Sequence, residues 1–251
     1  MATDYAKIAQ ELRREVLALV HKGQTSHIAS NFSLIDIVAV LYENLQPFDE
    51  VIWSKGWASA LYYIIGIRQG KLNREEVFNT FPNFPYLALL EPPIHPIATG
   101  AVGHGLPFSV GLALAKKMKG EEGVVYCILS DGELNEGTVW ESAMLAKHHQ
   151  LNNLVVIVDQ NGWQAMGKTS DVLDVNPEKI FKGFGWLATT INGHDHKQLE
   201  SSLTYQQGSD LPWALICNTV KGKGVSFMQN HLLYHYKHVD DETYQKALSE
   251  L

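Results

Sequence analysis

Several runs in this chain are apolar at every position, and this constrains its fold more than any other feature. Gly123-Val124-Val125-Tyr126-Cys127-Ile128-Leu129 and Leu154-Val155-Val156-Ile157-Val158 show no alternation of apolar and polar residues. Trp186-Leu187-Ala188-Thr189-Thr190-Ile191 and Trp213-Ala214-Leu215-Ile216-Cys217-Asn218 read as two further strands, and Val51-Ile52-Trp53 as a shorter one. A strand without alternation must be covered on both faces, and parallel sheets flanked by helices provide that cover. The segments between have helical spacing. In residues 4–21, Ile8, Leu12, Val16, Leu19 and Val20 share one face. Ser33 is expected to cap a helix over Leu34 to Leu45, stopped by Pro47. Further helices are expected over Ala58 to Gln69, Gly105 to Lys119 and Thr138 to His149. The predicted class is α/β, a mostly parallel central sheet with helices on both faces. Such sheets bind ligands at the carboxyl ends of their strands. Asp131, Asn161, Gly193 and Lys221 each come just after a predicted strand.

The chain has 251 residues and shows no repeat or long linker, so a single domain over 1–251 is expected. Its formal net charge of -7 gives no support for nucleic-acid binding. The densest basic run, Lys116-Lys117-Met118-Lys119, closes a predicted helix, where cations suit the dipole. No apolar run approaches the roughly 18 residues of a membrane span, and Met1 to Arg14 carries no signal-like segment. Cys127 and Cys217 lie in predicted core strands and read as structural thiols. A cytoplasmic location is expected.

Chemistry concentrates in Ser130-Asp131-Gly132-Glu133-Leu134-Asn135-Glu136-Gly137 and in Asp159-Gln160-Asn161-Gly162. Asp131 and Asn161 are 30 residues apart, each just past an apolar strand. Adjacent parallel strands would bring both side chains to one sheet edge. A carboxylate and an amide oxygen are hard donors, suited to Mg²⁺ or Ca²⁺. Mg²⁺ takes few protein ligands and completes its shell with phosphate and water. Gly132 would allow a phosphate close to the backbone, and helix N–H groups after it would favour an anion. Each dipeptide, Asp131-Gly132 and Asn161-Gly162, is also an ordinary turn sequence.

The pair resembles the thiamine-diphosphate motif, in which Gly-Asp-Gly is followed about thirty residues later by Asn; Ser130 stands for its first glycine. The resemblance extends over nearly the whole chain, to the N-terminal part of transketolase. Ser26-His27-Ile28-Ala29 is similar to that family's Gly-His-Pro-Gly, and Ser54-Lys55-Gly56-Trp57-Ala58 to its Ser-(Asn/Lys)-Gly-His-(Gly/Ala). Thr99-Gly100-Ala101-Val102-Gly103-His104-Gly105 resembles Thr-Gly-Pro-Leu-Gly-Gln-Gly. Lys221-Gly222-Lys223-Gly224, followed by Tyr234-His235, resembles its Lys-Gly-Lys-Gly run and Trp-His.

The resemblance implies the thiamine-diphosphate-binding fold, with thiamine diphosphate and Mg²⁺ (or Ca²⁺) as cofactors. It implies Asp131, Asn161 and the Trp163 carbonyl as metal ligands. Gly132 and Glu133 would lie along the diphosphate, while Gly100 and Val102 would contact the rest of the cofactor. His27 and His235 would face donor sugar and diphosphate, and Glu136 would link active sites across a subunit interface. Trp57 departs from the family, replacing a histidine with a larger residue that cannot accept a hydrogen bond. The histidine expected before Thr99 is missing; Leu87 is near its place, and His95 is out of register. Val102 and Tyr236 also differ. The diphosphate site is kept and the sugar-facing wall altered, which speaks against the ordinary pentose phosphates; small sugar or sugar-phosphate substrates are expected, and a dedicated biosynthetic ketol or acyl transfer fits the pattern equally.

The resemblance further implies that the pyrimidine-binding and C-terminal domains, with the glutamate that activates the cofactor, lie on a partner chain. An α₂β₂ assembly transferring a two-carbon ketol unit between ketose and aldose is expected. Three other readings compete: a deoxyxylulose-phosphate-synthase-like half, a 2-oxoacid-dehydrogenase α-like subunit, and a non-catalytic scaffold homologue. A nucleotide-binding domain is weaker, because the loop after Leu129 lacks a Gly-rich or P-loop pattern.

Overall fold

A computed structural model describes residues 3–204 and 209–251. Contacts divide the chain into two compact units. One comprises the residues up to Ala39 with Gly56–Gly100 and Val220–Leu251; the other comprises Val40–Lys55 and Ala101–Thr219.

The second unit is built on a five-stranded sheet of β1 (Glu50–Trp53), β2 (Val125–Ser130), β3 (Leu154–Gln160), β6 (Leu187–Asn192) and β7 (Trp213–Asn218). Their order is β1-β2-β3-β7-β6, with every pairing parallel. A two-stranded hairpin, β4 (Trp163–Gln164) and β5 (Gly167–Lys168), comes after β3. The three central strands are buried at nearly every position. Each Val, Leu or Ile wholly buried there contributes about 1.5–3 kcal/mol. Only β6 departs from its uniformly apolar reading. It is an edge strand, and Thr189 and Thr190 are exposed.

Between these strands lie α5 (Gly105–Lys119), α6 (Gly137–His148), the single turn α7 (Thr169–Val172), α8 (Pro177–Gly183) and α9 (His196–Thr204). The basic end of α5 is a working C-terminus. Gly120 is left-handed, its N–H donates to the Lys116 and Lys117 carbonyls, and Lys116 Nζ donates to the carbonyls of Phe48 and Glu122. Cys127 and Cys217 are fully buried, and burial pushes both thiols up, as structural thiols require.

The first unit is helical. It holds α1 (Tyr5–Gly23), α3 (Ser59–Arg68), α4 (Arg74–Thr80), α10 (Leu233–Tyr236) and α11 (Asp241–Glu250), together with most of α2 (Ile28–Asn44). Asp4 caps α1 by accepting from the Lys7 N–H. The α2 cap is not where the sequence pattern puts it. Ser33 lies inside the helix and its hydroxyl donates to the Ser30 carbonyl at 3.2 Å. Ile28, Ala29 and Phe32 are completely buried, so packing starts the helix directly after His27. The His27 carbonyl accepts from Ser30 N, Asn31 N and Asn31 Nδ2 and so serves the first turn. Arg13 and Asp36 form a buried ion pair inside this unit. None of the helices among the described residues is long and apolar enough to cross a membrane.

Candidate functional site

In the sheet unit the Asp131 and Asn161 segments come together at two neighbouring strand ends. The β2–β3 register pairs Ser130 with Asp159, so Asp131 and Asn161 leave adjacent strands within one residue of each other. Both are 6% exposed. Asp131 Oδ1 accepts from Gly132 N at 2.9 Å and Oδ2 from Gly162 N at 2.6 Å. The second bond ties the two loops together. Asn161 Oδ1 accepts from Trp163 N at 3.1 Å, which turns the chain into the β4–β5 hairpin. Each of these oxygens keeps a further lone pair. Burial, reinforced by the Asp159 carboxylate, pushes Asp131 up to about 6, while the two N–H donors and Lys55 oppose the rise.

The donor set fits a divalent cation carried by a phosphate-bearing ligand. Among the described residues no group of three or more His, Cys, Asp or Glu could hold a metal by itself. One carboxylate and one amide oxygen leave most of an octahedron to ligand and water. Beside them, Asn135 Nδ2 donates to Gln164 Oε1 at 3.2 Å. Asn135 Oδ1 and Gln164 Nε2 are buried without a hydrogen-bond partner. A phosphate oxygen is the kind of acceptor the Gln164 amide lacks. Gly132 is required for a reason closer to home than phosphate approach: a Cβ there would lie 2.9 Å from Gln164 Cβ. Its N–H is already held by the Asp131 carboxylate.

Glu133, expected along the diphosphate, turns its side chain inward and is wholly buried. It accepts from the Ser54 hydroxyl, from Gly103 N at 2.9 Å and from Ser130 N at 3.3 Å. Its side chain is therefore a brace among three loops. Burial pushes it up to about 7, with Glu136 adding to the rise. Glu136 is exposed at the start of α6 and makes no capping bond with its side chain. Val102 is 47% exposed and Trp163 half-buried. A second brace was not legible in the motif: Lys55 pairs with the buried Asp159, which also accepts from the Thr219 hydroxyl. The one signal for it was the lysine in the Ser-Lys-Gly segment.

In the helical unit the structure brings His27 and His235 together. His27 N donates to the His235 carbonyl at 3.2 Å, and their rings meet edge-on at 4.5 Å. His27 has φ of 68°, a left-handed backbone unusual for a side-chain-bearing residue. Its Nδ1 lies 2.6 Å from Ser26 Oγ. Trp57 lies flat on the His27 ring, with centroids 4.1 Å apart and planes 12° apart, and Tyr236 approaches edge-on. The Trp57 carbonyl accepts from Asn31 Nδ2. Trp57 and Tyr236 are 42% and 54% exposed, so this cluster shows an aromatic face. Thr25, Ser26, His27, Asn31, Trp57, Ser59 and Phe81 line a small cavity beside it. His235 Nδ1 is 2.8 Å from the Nζ of buried Lys221. Gly100 is exposed on its loop. His95 is 1% exposed and packs edge-on against Tyr62, with Nδ1 2.8 Å from the Ile97 carbonyl. Burial lowers its pKa, so it is a packed histidine and does not replace the missing one.

The model of the transketolase thiamine-diphosphate-binding domain matches residues 5–249. The chain belongs to the transketolase family. This transketolase chain is similar to one subunit of the apulose-4-phosphate transketolase of Actinobacillus succinogenes, at 32% identity over 98% of the chain and 95% of that protein. It is 29% identical to one subunit of the 6-deoxy-6-sulfo-D-fructose transketolase of a Clostridium species, over 97% of the chain and 94% of that protein. The solved transketolase of Campylobacter jejuni superposes with a TM-score of 0.91 at 27% identity, covering 100% of the chain and 43% of that structure. The chain is thus a thiamine-diphosphate-dependent, transketolase-like N-terminal subunit with the parallel-sheet fold of its relatives.

Proposed function

We propose that this protein completes a split transketolase that moves a two-carbon ketol unit from a ketose donor to an aldose acceptor. The observation that carries the reading is the joining of two strand-end loops, Asp131 to Gly162, on a pair of oxygen donors that fits a phosphate-borne cation. In this reading Asp131, Asn161 and the Trp163 carbonyl hold Mg²⁺ on the diphosphate. Thiamine diphosphate supplies the nucleophilic carbon when bound. The chain's own share is position and electrostatics. Ser54, Gly103 and Ser130 are held by Glu133, and Lys55 balances Asp159, so both loops meet the ligand preformed.

His27 and His235 orient the sugar through hydrogen bonds, and Gly100 and Val102 lie along the cofactor. Glu136 bonds across a subunit interface. A partner chain brings the pyrimidine domain, in an α₂β₂ assembly; relatives that are each named as one subunit of a transketolase support a divided enzyme. The donor is a dedicated ketose, not the ordinary pentose phosphates. Two observations favour this: Trp57 stacked on His27 in place of the family's histidine, and relatives named for an apulose phosphate and a sulfofructose.

Calorimetry with thiamine diphosphate and Mg²⁺ tests the reading, with and without a co-expressed partner, followed by assay with ketose and 2-oxoacid donors. Metal-dependent binding lost in Asp131→Ala and Asn161→Ala, and aldose release from ketose, are the expected results. Carbon dioxide released from a 2-oxoacid would reject it, and absence of binding in either preparation would favour a scaffold.

A further inference from the structure

Two side-chain amides in the sheet unit are only half satisfied, and they lie on the two loops that Asp131 and Gly162 join. Asn135 ends the turn Gly132–Asn135, and Gln164 follows Trp163 in β4. Asn135 Nδ2 donates to Gln164 Oε1 at 3.2 Å, a second tie between these loops. Asn135 Oδ1 and Gln164 Nε2 are buried with no hydrogen-bond partner. The Gln164 side chain packs on Gly132, where a Cβ would come 2.9 Å from its Cβ and 3.2 Å from its Oε1. The pair therefore adjoins the residue that follows Asp131. Two amides that share one hydrogen bond leave one carbonyl oxygen and one NH₂ group over. Exchanging oxygen and nitrogen in both amides swaps which residue carries which group and leaves the same two needs. A fully ionised phosphate only accepts, so it meets one of them. A ligand that meets both must offer an acceptor and a donor together. Hydrated Mg²⁺ on a diphosphate does so: phosphate oxygens accept, and water in the metal's shell donates.

We propose that Asn135 and Gln164 form a further contact for the metal diphosphate, the free NH₂ donating to a phosphate oxygen and the free carbonyl accepting from a metal-bound water. This deepens the proposed function and rests on it. Asp131 and Asn161 take the metal itself in that reading, whereas the amide pair reads the metal's water and the phosphate together. Hydrogen bonds to charged groups are stronger than those between neutral ones, so the pair adds affinity when the ligand is bound. In the free chain the same burial works against it. Unmet buried donors and acceptors cost stability, while replacing both partners by apolar groups of similar shape is nearly neutral or stabilising. Removing the pair therefore lowers affinity for the ligand without weakening the free chain. An amide pair that served only the fold would show the reverse.

The test combines Asn135→Leu with Gln164→Met, which removes both amides at similar volume. Calorimetry of the full chain with Mg²⁺ and thiamine diphosphate, with and without a co-expressed partner, should show affinity lower by roughly tenfold or more. The urea midpoint of the ligand-free double variant should be no lower than that of wild type. Gln164→Met alone leaves Asn135 with no partner and should lower both affinity and midpoint. A second measurement needs no folded double variant. In NMR of the wild-type chain, the side-chain NH₂ signals of the pair should move when Mg²⁺ and thiamine diphosphate are added, with the single variants giving the assignment. Wild-type affinity in the double variant, or pair signals that stay in place in the wild type when ligand binds, would overturn the proposal. If wild type itself binds no Mg²⁺–thiamine diphosphate in either preparation, the proposed function falls and the pair with it. If wild type binds and the double variant binds equally well, only the pair falls.

Discussion

Replacing Glu133 by glutamine separates a structural brace from a cofactor ligand, and its effect can be worked out from the structure. Glu133 is fully buried, and burial raises its pKa from 4.5 to about 7 despite three donors. In the unfolded chain it loses its proton near 4.5. Between these values the folded state holds more protons than the unfolded state. Its contribution is therefore greatest below about 4.5 and falls as pH rises through about 7. A difference of about 2.5 pH units corresponds to roughly 3 kcal/mol. Glutamine mimics the protonated acid and escapes this loss. One donor, Gly103 N or Ser130 N, would then face an amide nitrogen, at a cost of about 1 kcal/mol. In urea unfolding of the chain without cofactor or Mg²⁺, Glu133→Gln should lie within about 1 kcal/mol of wild type at pH 5. At pH 8 it should be about 2 kcal/mol more stable. Mg²⁺-dependent cofactor binding should survive the substitution. A stability difference that does not change with pH would refute the reasoning, and loss of cofactor binding would restore Glu133 as a ligand.

Three further outcomes are expected. Asp131 is raised to about 6, so protons should compete with Mg²⁺ below that value. Calorimetric affinity for the Mg²⁺–diphosphate should fall towards tenfold per pH unit in acid, and constant affinity between about pH 7.5 and pH 5 would exclude Asp131 as a ligand. Lys55→Met strands the fully buried Asp159 without that cation and should cost roughly 3–5 kcal/mol in urea. Lys55→Met with Asp159→Asn should recover much of the loss; equal loss in single and double variants would deny the coupling. Trp57→His removes the flat stack on His27 and should cost only about 1 kcal/mol of stability while shifting kcat/KM towards ordinary ketose phosphates in the reconstituted assembly. Unchanged donor preference would remove Trp57 from the specificity wall.

Local chemistry made the architecture legible. The runs from Val125 and Leu154 have no polar face, so they could only be central strands, and the structure buries Val125 to Leu129 and Leu154 to Val158. Gly105–Lys119 was readable to the residue because its basic end and the adjoining Gly120 state where the helix must stop. Asp131 and Asn161 could be paired from sequence because each ends such a strand, and strand-end position is set by the run itself. Local signals failed where burial outweighed them. Ser33 has the chemistry of a cap, but the packing of Ile28, Ala29 and Phe32 starts the helix earlier.

By itself the sequence determined the layered parallel sheet and the strand edge at which the two candidate metal ligands sit, because these depend on hydrophobic period and on the residues just past each strand. Only the tertiary structure decided how the polar side chains are used. The inward turn of Glu133, the Lys55–Asp159 pair, the stacking of Trp57 on His27 and the contact of Lys221 with His235 join residues up to 104 positions apart. A residue's charge and hydrogen-bonding capacity are written in its type. Its protonation state and its partner depend on the burial and neighbours that the folded chain supplies.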